Sequence, residues 1–208
     1  MDQYQILSNQ IINDLLSKAR DENGWNQITE KSNVKVIQKN YPDSCISVNK
    51  GECIFNLPLD IIKEFLMNFE NNKLWDPLFQ SGENHVLKNE FNQSIHLSYY
   101  KTISYLTIWP RDFFVLKTSS LLNDGSVVIA AKSIKDSIHF KHDQSCVQGD
   151  VLLSGFLLTP IDMFTTKVTY VLQVNPCGWI PSNIVNDAIK NHPLALLKIR
   201  KILTEKTI

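Results

Sequence analysis

The closing segment, from Pro181 to about Thr204, constrains the fold more than any other stretch of the chain. At about 100° per residue, Ile184, Val185, Ala188, Ile189, Ala195, Leu196, Ile199, Ile202 and Leu203 fall within an arc of roughly 140°. A face that wide needs an apolar surface to lie against along its whole length. Pro193 has no amide hydrogen to give, which predicts a kink near the middle. Leu194 and Leu197 fall on the other side, among Lys190, Lys198 and Lys201. Two readings of that side are open: an exposed surface that meets lipid headgroups, or a solvated basic end that complements the helix dipole.

The partner surface is supplied by strands. From Asn84 onward the sequence reads as β structure at roughly 84–101, 112–122, 126–134, 147–159 and 165–174, with Asn123-Asp124-Gly125 marking a hairpin. Upstream, Tyr4, Leu7, Ile11, Ile12, Leu15 and Ala19 share one side of a first helix that stops near Asn23-Gly24. Between Trp25 and Phe55 three short strands are predicted, separated by turns at Lys31-Ser32-Asn33, Tyr41-Pro42-Asp43 and Asn49-Lys50-Gly51. Pro58 opens a second helix carrying Ile61, Ile62, Phe65, Leu66 and Phe69. No linker or repeat interrupts this order, so residues 1–208 read as a single α+β domain built on one antiparallel sheet.

Composition narrows the function. With 21 basic and 21 acidic residues the net charge is zero, and no basic stretch interleaved with aromatics appears, so nucleic acid is not an expected partner. No run of about 18 apolar residues is present. The N-terminus lacks signal-peptide patterning, and Cys45, Cys53, Cys146 and Cys177 show no CxxC spacing; a cytoplasmic protein with free thiols is expected. No nucleotide-binding or hydrolase motif occurs, and no catalytic residues or cofactors are expected. The spacing of His139, His142 and Cys146 suits a metal, but no fourth ligand is at hand and no metal site is expected.

One stretch, WPRDFFVLK at 109–117, departs from a plain buried strand because it is charged at its mouth and ends in Lys117. Arg111 and Asp112 project to opposite faces, which suits two separate loop anchors better than one reacting centre. Trp75-Asp76 after a helix, the Trp109–Phe113 element, the Asn123–Gly125 hairpin, Thr166–Val171, Gly178-Trp179-Ile180-Pro181 and the amphipathic last helix together resemble the START family of lipid-binding domains. That resemblance covers nearly the whole chain. It implies a helix-grip fold: a curved antiparallel sheet wrapped around a long C-terminal helix, leaving an internal hydrophobic tunnel for one lipid.

The resemblance also implies site residues. Phe113, Val115 and Lys117 share one strand face, and Lys117 stands where the family places a basic side chain facing the tunnel. A buried ammonium needs an acceptor, either from ligand or from protein; the alternative is a lysine that snorkels to a wet strand end. Leu97 and Tyr99 share a face on the preceding strand and are assigned to the tunnel, with plain core as the other reading of Tyr99; Ile184, Ala188 and Ile199 join them from the last helix, as does His192, which is either a tunnel contact or a satisfied core histidine. Trp109 belongs to an entrance loop, Ser104–Pro110, that either gates the tunnel or packs under the helix. Leu194, Leu197, Lys190, Lys198 and Lys201 are the membrane-contact candidates. The strand before Lys117 has no carboxylate to pair with it, unlike sterol-binding members, which tilts the expected ligand from sterol toward phospholipid. The expectation is a monomer that touches membranes transiently and transfers one lipid between them. An enzyme acting on a hydrophobic substrate, or a lipid sensor without transfer, are the other readings.

Overall fold

The computed structural model of the chain describes residues 2–104, 108–135 and 139–206. Helix α1 (Asp2–Arg20) leads into strands β1 (Asn26–Lys31), β2 (Val34–Lys39) and β3 (Val48–Phe55), followed by α2 (Leu59–Met67) and a short α3 (Asn72–Trp75). Seven more strands follow: β4 (Phe79–Asn89), β5 (Gln93–Thr102), β6 (Arg111–Leu121), β7 (Val127–Ser133), β8 (Val147–Gln148), β9 (Asp150–Asp162) and β10 (Thr165–Asn175). The chain closes with α4 (Ser182–Ile189), a 3-10 turn at His192–Leu194, and α5 (Ala195–Lys206). Strand order is β1-β2-β3-β10-β9-β7-β6-β5-β4, antiparallel throughout, with β8 adding a short parallel pair on β6. The sheet is curved and open, as expected for a helix-grip fold.

Helices cover both faces of the sheet. On one side α1 buries Ile11, Ile12, Leu15 and Ala19 against Ile95, Leu97, Phe114 and Leu116. On the other, Phe65 and Leu66 of α2 and Leu196, Ile199 and Leu203 of α5 join Val36, Phe55, Leu158 and Val168. The C-terminal end of α1 is fixed by a lysine: Lys50 Nζ donates to the carbonyls of Ala19 (3.3 Å) and Asp21 (2.6 Å) and lies 4.3 Å from the Trp25 ring centroid. Those carbonyls have no partner within the helix, so a buried ammonium is held without a carboxylate.

Three sequence expectations are corrected. Asn49-Lys50-Gly51 is not a turn but the interior of β3, with Gly51 opposite Val36 and Tyr170. Gly51 serves close approach, since a Cβ there would come within 2.7 Å of Pro193 Cβ. The predicted strand at 84–101 is two strands, β4 and β5, joined around Phe91 by a turn without Gly or Pro to announce it. The predicted strand at 147–159 breaks at Gly149, where a Cβ would lie 2.4 Å from the Phe113 ring. Pro193 does interrupt the last helix, in the form of the 3-10 turn, and is itself buried.

Candidate functional site

Arg111 and Asp112 hold the mouth of β6 as separate anchors. The Arg111 guanidinium donates to the carbonyls of Trp109 (2.6 Å), Pro176 (2.9 Å) and Cys177 (3.2 Å), joining the loop before β6 to the loop before α4. Asp112, fully buried, receives His142 Nδ1 at 2.9 Å and the Asp143 amide at 2.9 Å. His142, one of the metal candidates, is thus engaged with a carboxylate, and its neighbour Cys146 is buried.

Beyond this mouth the sheet and the helices on its inner side do not fill the space between them. A cavity of about 170 Å³ lies there, bordered by residues of β5, β6, β7, β9 and β10, of α3 and the loop after it, and by Ile189 and His192. Its wall is mostly apolar: Phe113, Val115, Ile129, Val151, Phe156 and Leu172 among others.

Lys117 stands in that wall. Its Nζ donates to the Leu66 carbonyl at 2.7 Å, one of the carbonyls in the last turn of α2 that lack a helical partner. The acceptor that a buried ammonium requires is therefore a helix C-terminus, whose dipole favours positive charge. Burial pushes the Lys117 pKa down to about 8. Opposite it on β5 is His96, with Nδ1 3.0 Å from Asn84 Nδ2 and Nε2 buried without a hydrogen bond. Burial, and then the nearby Lys117 charge, lower the His96 pKa to about 4.

A second polar group borders the same cavity. Asp76, in the loop after α3, accepts the Leu78 amide at 2.9 Å and stands 3.6 Å from His192 Nε2. His192 Nδ1 is 3.4 Å from the Tyr170 hydroxyl. Burial alone would raise the Asp76 pKa, but His192 and the amides of Leu78 and Phe79 outweigh it and the net shift is downward. Tyr100 lies on the cavity wall as well, its ring stacked 4.9 Å from that of Phe113. Burial, then the Asp76 charge, holds the Tyr100 and Tyr170 phenols well above their usual range.

Of the residues read from sequence as tunnel-lining, Phe113, Val115, Lys117 and His192 border the cavity. The others stand elsewhere. Leu97 and Tyr99 face α1, not the cavity; Tyr99 packs on Phe114 and Phe140, with its hydroxyl 3.5 Å from Asp112. Their partners in alternation, Ser98 and Tyr100, are the residues that face inward. Ile199 is packed in the core beside Leu196, Ile184 is 52% exposed, and Ala188 is half-buried away from the cavity. Trp109 is 70% exposed and does not pack under the helix. Tyr105 and Leu106 of the same loop lie outside the described residues.

Leu194 and Leu197 are corrected too: both are half-buried against the core, because the 3-10 turn at His192–Leu194 changes the helical phase after Pro193. Lys198 and Lys201 are exposed, while Lys190 pairs with Asp187. Asp76, Tyr100 and Tyr170 escaped the sequence reading. Their signal was present in the Trp75-Asp76 pair after a helix and in the polar alternation His96, Ser98, Tyr100.

A sheet closed by a kinked helix over a cavity defines the helix-grip class of ligand-binding domain. The START domain family matches residues 7–205, and the chain belongs to that family. Human StAR-related lipid transfer protein 5 superposes with a TM-score of 0.89 at 18% identity, covering 100% of this chain and 99% of that one. Steroidogenic acute regulatory protein of Xenopus laevis is 26% identical over 180 residues, 81% of this chain and 59% of that protein. Acetyl-coenzyme A thioesterase of Rattus norvegicus is 27% identical over 164 residues, 77% of this chain and 28% of that enzyme. The chain thus spans less than two thirds of the length of these curated relatives. No helix among the described residues is long and apolar enough to cross a membrane.

Proposed function

We propose that this domain binds one hydrophobic lipid in the cavity between sheet and last helix, as a monomer, and carries it between membranes. The observation that carries this reading is the unfilled apolar cavity with the Lys117 ammonium on its wall. Native interiors are packed as densely as organic crystals, so a void of this size, left open among large side chains, argues for a guest. Enclosing a few hundred Å² of apolar surface at about 25 cal/mol per Å² contributes on the order of 10 kcal/mol before association costs.

Volume bears on which lipid. A cavity of about 150 Å³ is the size that accommodates one benzene ring. The cavity of about 170 Å³ therefore suits a compact or single-chain amphiphile, and the phospholipid favoured on sequence grounds enters only if the last helix or the entrance loop moves. Lys117 neutralises an acidic headgroup or hydrogen-bonds an acceptor.

Membrane contact falls to a different pair from the leucines named above. Trp109 and the fully exposed Trp179 lie in the two loops that Arg111 joins, and indole rings prefer the membrane interface. Lys198 and Lys201 on α5 add attraction to anionic headgroups.

Solvent extraction of the purified protein, with mass spectrometry of the extract, tests the reading. One lipid per chain supports it, and transfer between donor and acceptor vesicles separates a carrier from a sensor. An empty cavity that turns over an added thioester would instead favour an enzyme.

A further inference from the structure

The mechanism proposed above uses Lys117 and leaves the polar group at the other side of the cavity without a task. Asp76, Tyr100, Tyr170 and His192 come from four separate segments of the chain: the loop after α3, β5, β10 and the 3-10 turn. Burying so many polar groups beside an apolar wall costs free energy unless each finds a partner. Asp76 accepts the Leu78 amide at 2.9 Å, but the contacts among the four side chains are loose. The Asp76–His192 and Tyr170–His192 distances, 3.6 and 3.4 Å, exceed those of ordinary hydrogen bonds. The Tyr100 hydroxyl, on the cavity wall, has no hydrogen-bond partner among the described residues.

Chemical complementarity identifies the missing group. Asp76 is held ionised and only accepts; the Tyr100 phenol is held protonated and is free to donate. A hydroxyl both donates and accepts, so one alcohol oxygen satisfies the two together. A methyl group in its place leaves the Tyr100 phenol unpaired.

The register separates the Tyr100 backbone from that of Lys117. Lys117 is opposite His96 on β5, so Tyr100 is four residues along that strand, about 13 Å at roughly 3.3 Å per residue.

We propose that Asp76, Tyr100, Tyr170 and His192 form a hydroxyl-recognition site, so that the bound lipid is an amphiphile with an acidic or accepting group at Lys117 and a hydroxyl at its far end. The proposal rests on the reading that the cavity is the lipid site, and it specifies the chemical class of that lipid.

Titration calorimetry on the delipidated full chain, with decanoic acid and its ω-hydroxy derivative as probes, tests it. The hydroxy acid is expected to bind about tenfold more tightly than the parent, the factor that one net hydrogen bond supplies. Tyr100→Phe removes an oxygen that has no hydrogen-bond partner among the described residues, so the fold is retained; it should cut the preference several-fold. Asp76→Asn should reduce the preference further. Lys117→Met should weaken both acids alike. Equal affinities in the native chain, or a preference that survives Tyr100→Phe, overturn the proposal while leaving the cavity reading intact. Failure of either acid to bind overturns both, and native protein and Lys117→Met then give the same flat titration.

Discussion

Strands β5 and β6 have two faces that could hardly differ more, although they are made of alternate residues of the same two segments. The outer face, with Ile95, Leu97, Phe114, Leu116 and Thr118, meets α1 and is filled. Even its polar groups are matched: Ser8 and Thr118 hydroxyls are 2.6 Å apart, and Thr118 donates to the Ser94 carbonyl at 2.8 Å. The inner face, with Ser98, Tyr100, Phe113, Val115 and Lys117, meets open space, and the Tyr100 hydroxyl has no hydrogen-bond partner among the described residues. One face was completed by a helix of the chain itself. The other is completed, on our reading, by a molecule from outside. Stability should therefore reside mainly on the α1 side and selectivity on the cavity side.

The largest test of that division is a matched pair of leucine truncations. Leu116→Ala, fully buried beneath α1, removes atoms from a packed environment and should destabilise by about 3 kcal/mol or more. Leu172→Ala is also buried, but it borders the cavity, so its side chain already lacks neighbours on one side and should lose less, about 2 kcal/mol. Urea unfolding of the two variants measures the difference. Ligand selectivity should change in Leu172→Ala alone. Equal losses without a change in selectivity would mean that the two faces are packed alike.

Arg111→Met comes next in size. The guanidinium satisfies three carbonyls at the sheet's mouth, and its removal leaves them unpaired, a loss of about 2 kcal/mol. Because the loops carrying Trp109 and Trp179 are joined through it, binding to anionic vesicles should fall more than global stability does. Retained vesicle binding would remove Arg111 from the membrane argument.

These contrasts also explain which parts of the molecule were legible beforehand. Element order was, because amphipathic period and turn residues are local: α1, α2, the hairpin at Asn123–Gly125 and the break at Pro193 all stand where the sequence put them. The roles of Arg111 and Asp112 as loop anchors followed from alternation alone. Alternation misled on β5 because apolar residues are ordinarily assigned to the interior and polar ones to water. Here the apolar set, Ile95, Leu97 and Tyr99, faces α1, whereas Ser98 and Tyr100 face the cavity. In a protein that hollows out its own interior, the polar alternates are the informative ones. Ile199 failed for a related reason. A helical wheel shows which side faces the sheet, but not which turn meets solid core and which meets space. The kink at Pro193 decides that, with α5 packed and only Ile189 and His192 at the cavity.

The smallest effect is the most diagnostic, because it reports on Lys117 directly. Its pKa is about 8 in the folded chain, below the ordinary 10.5, so between these two values the unfolded chain binds more protons than the folded one. Stability contributed by this group must then rise as pH increases from about 8 to about 10.5, and be constant below that window. Lys117→Met lacks the titration, so native protein should gain stability relative to the variant across those pH values, measured by urea midpoints at each pH. The tyrosines do not confuse the comparison: their phenols are shifted upward in both proteins and cancel in the difference. A carboxylic acid bound in the cavity adds a further constraint. Its negative charge beside the ammonium restores the folded-state pKa toward its ordinary value, so saturating decanoic acid should flatten the rise. A rise that persists unchanged with the acid bound would place the acid's charge away from Lys117, and the cavity's polar end would have to be sought at Asp76 and Tyr100 alone.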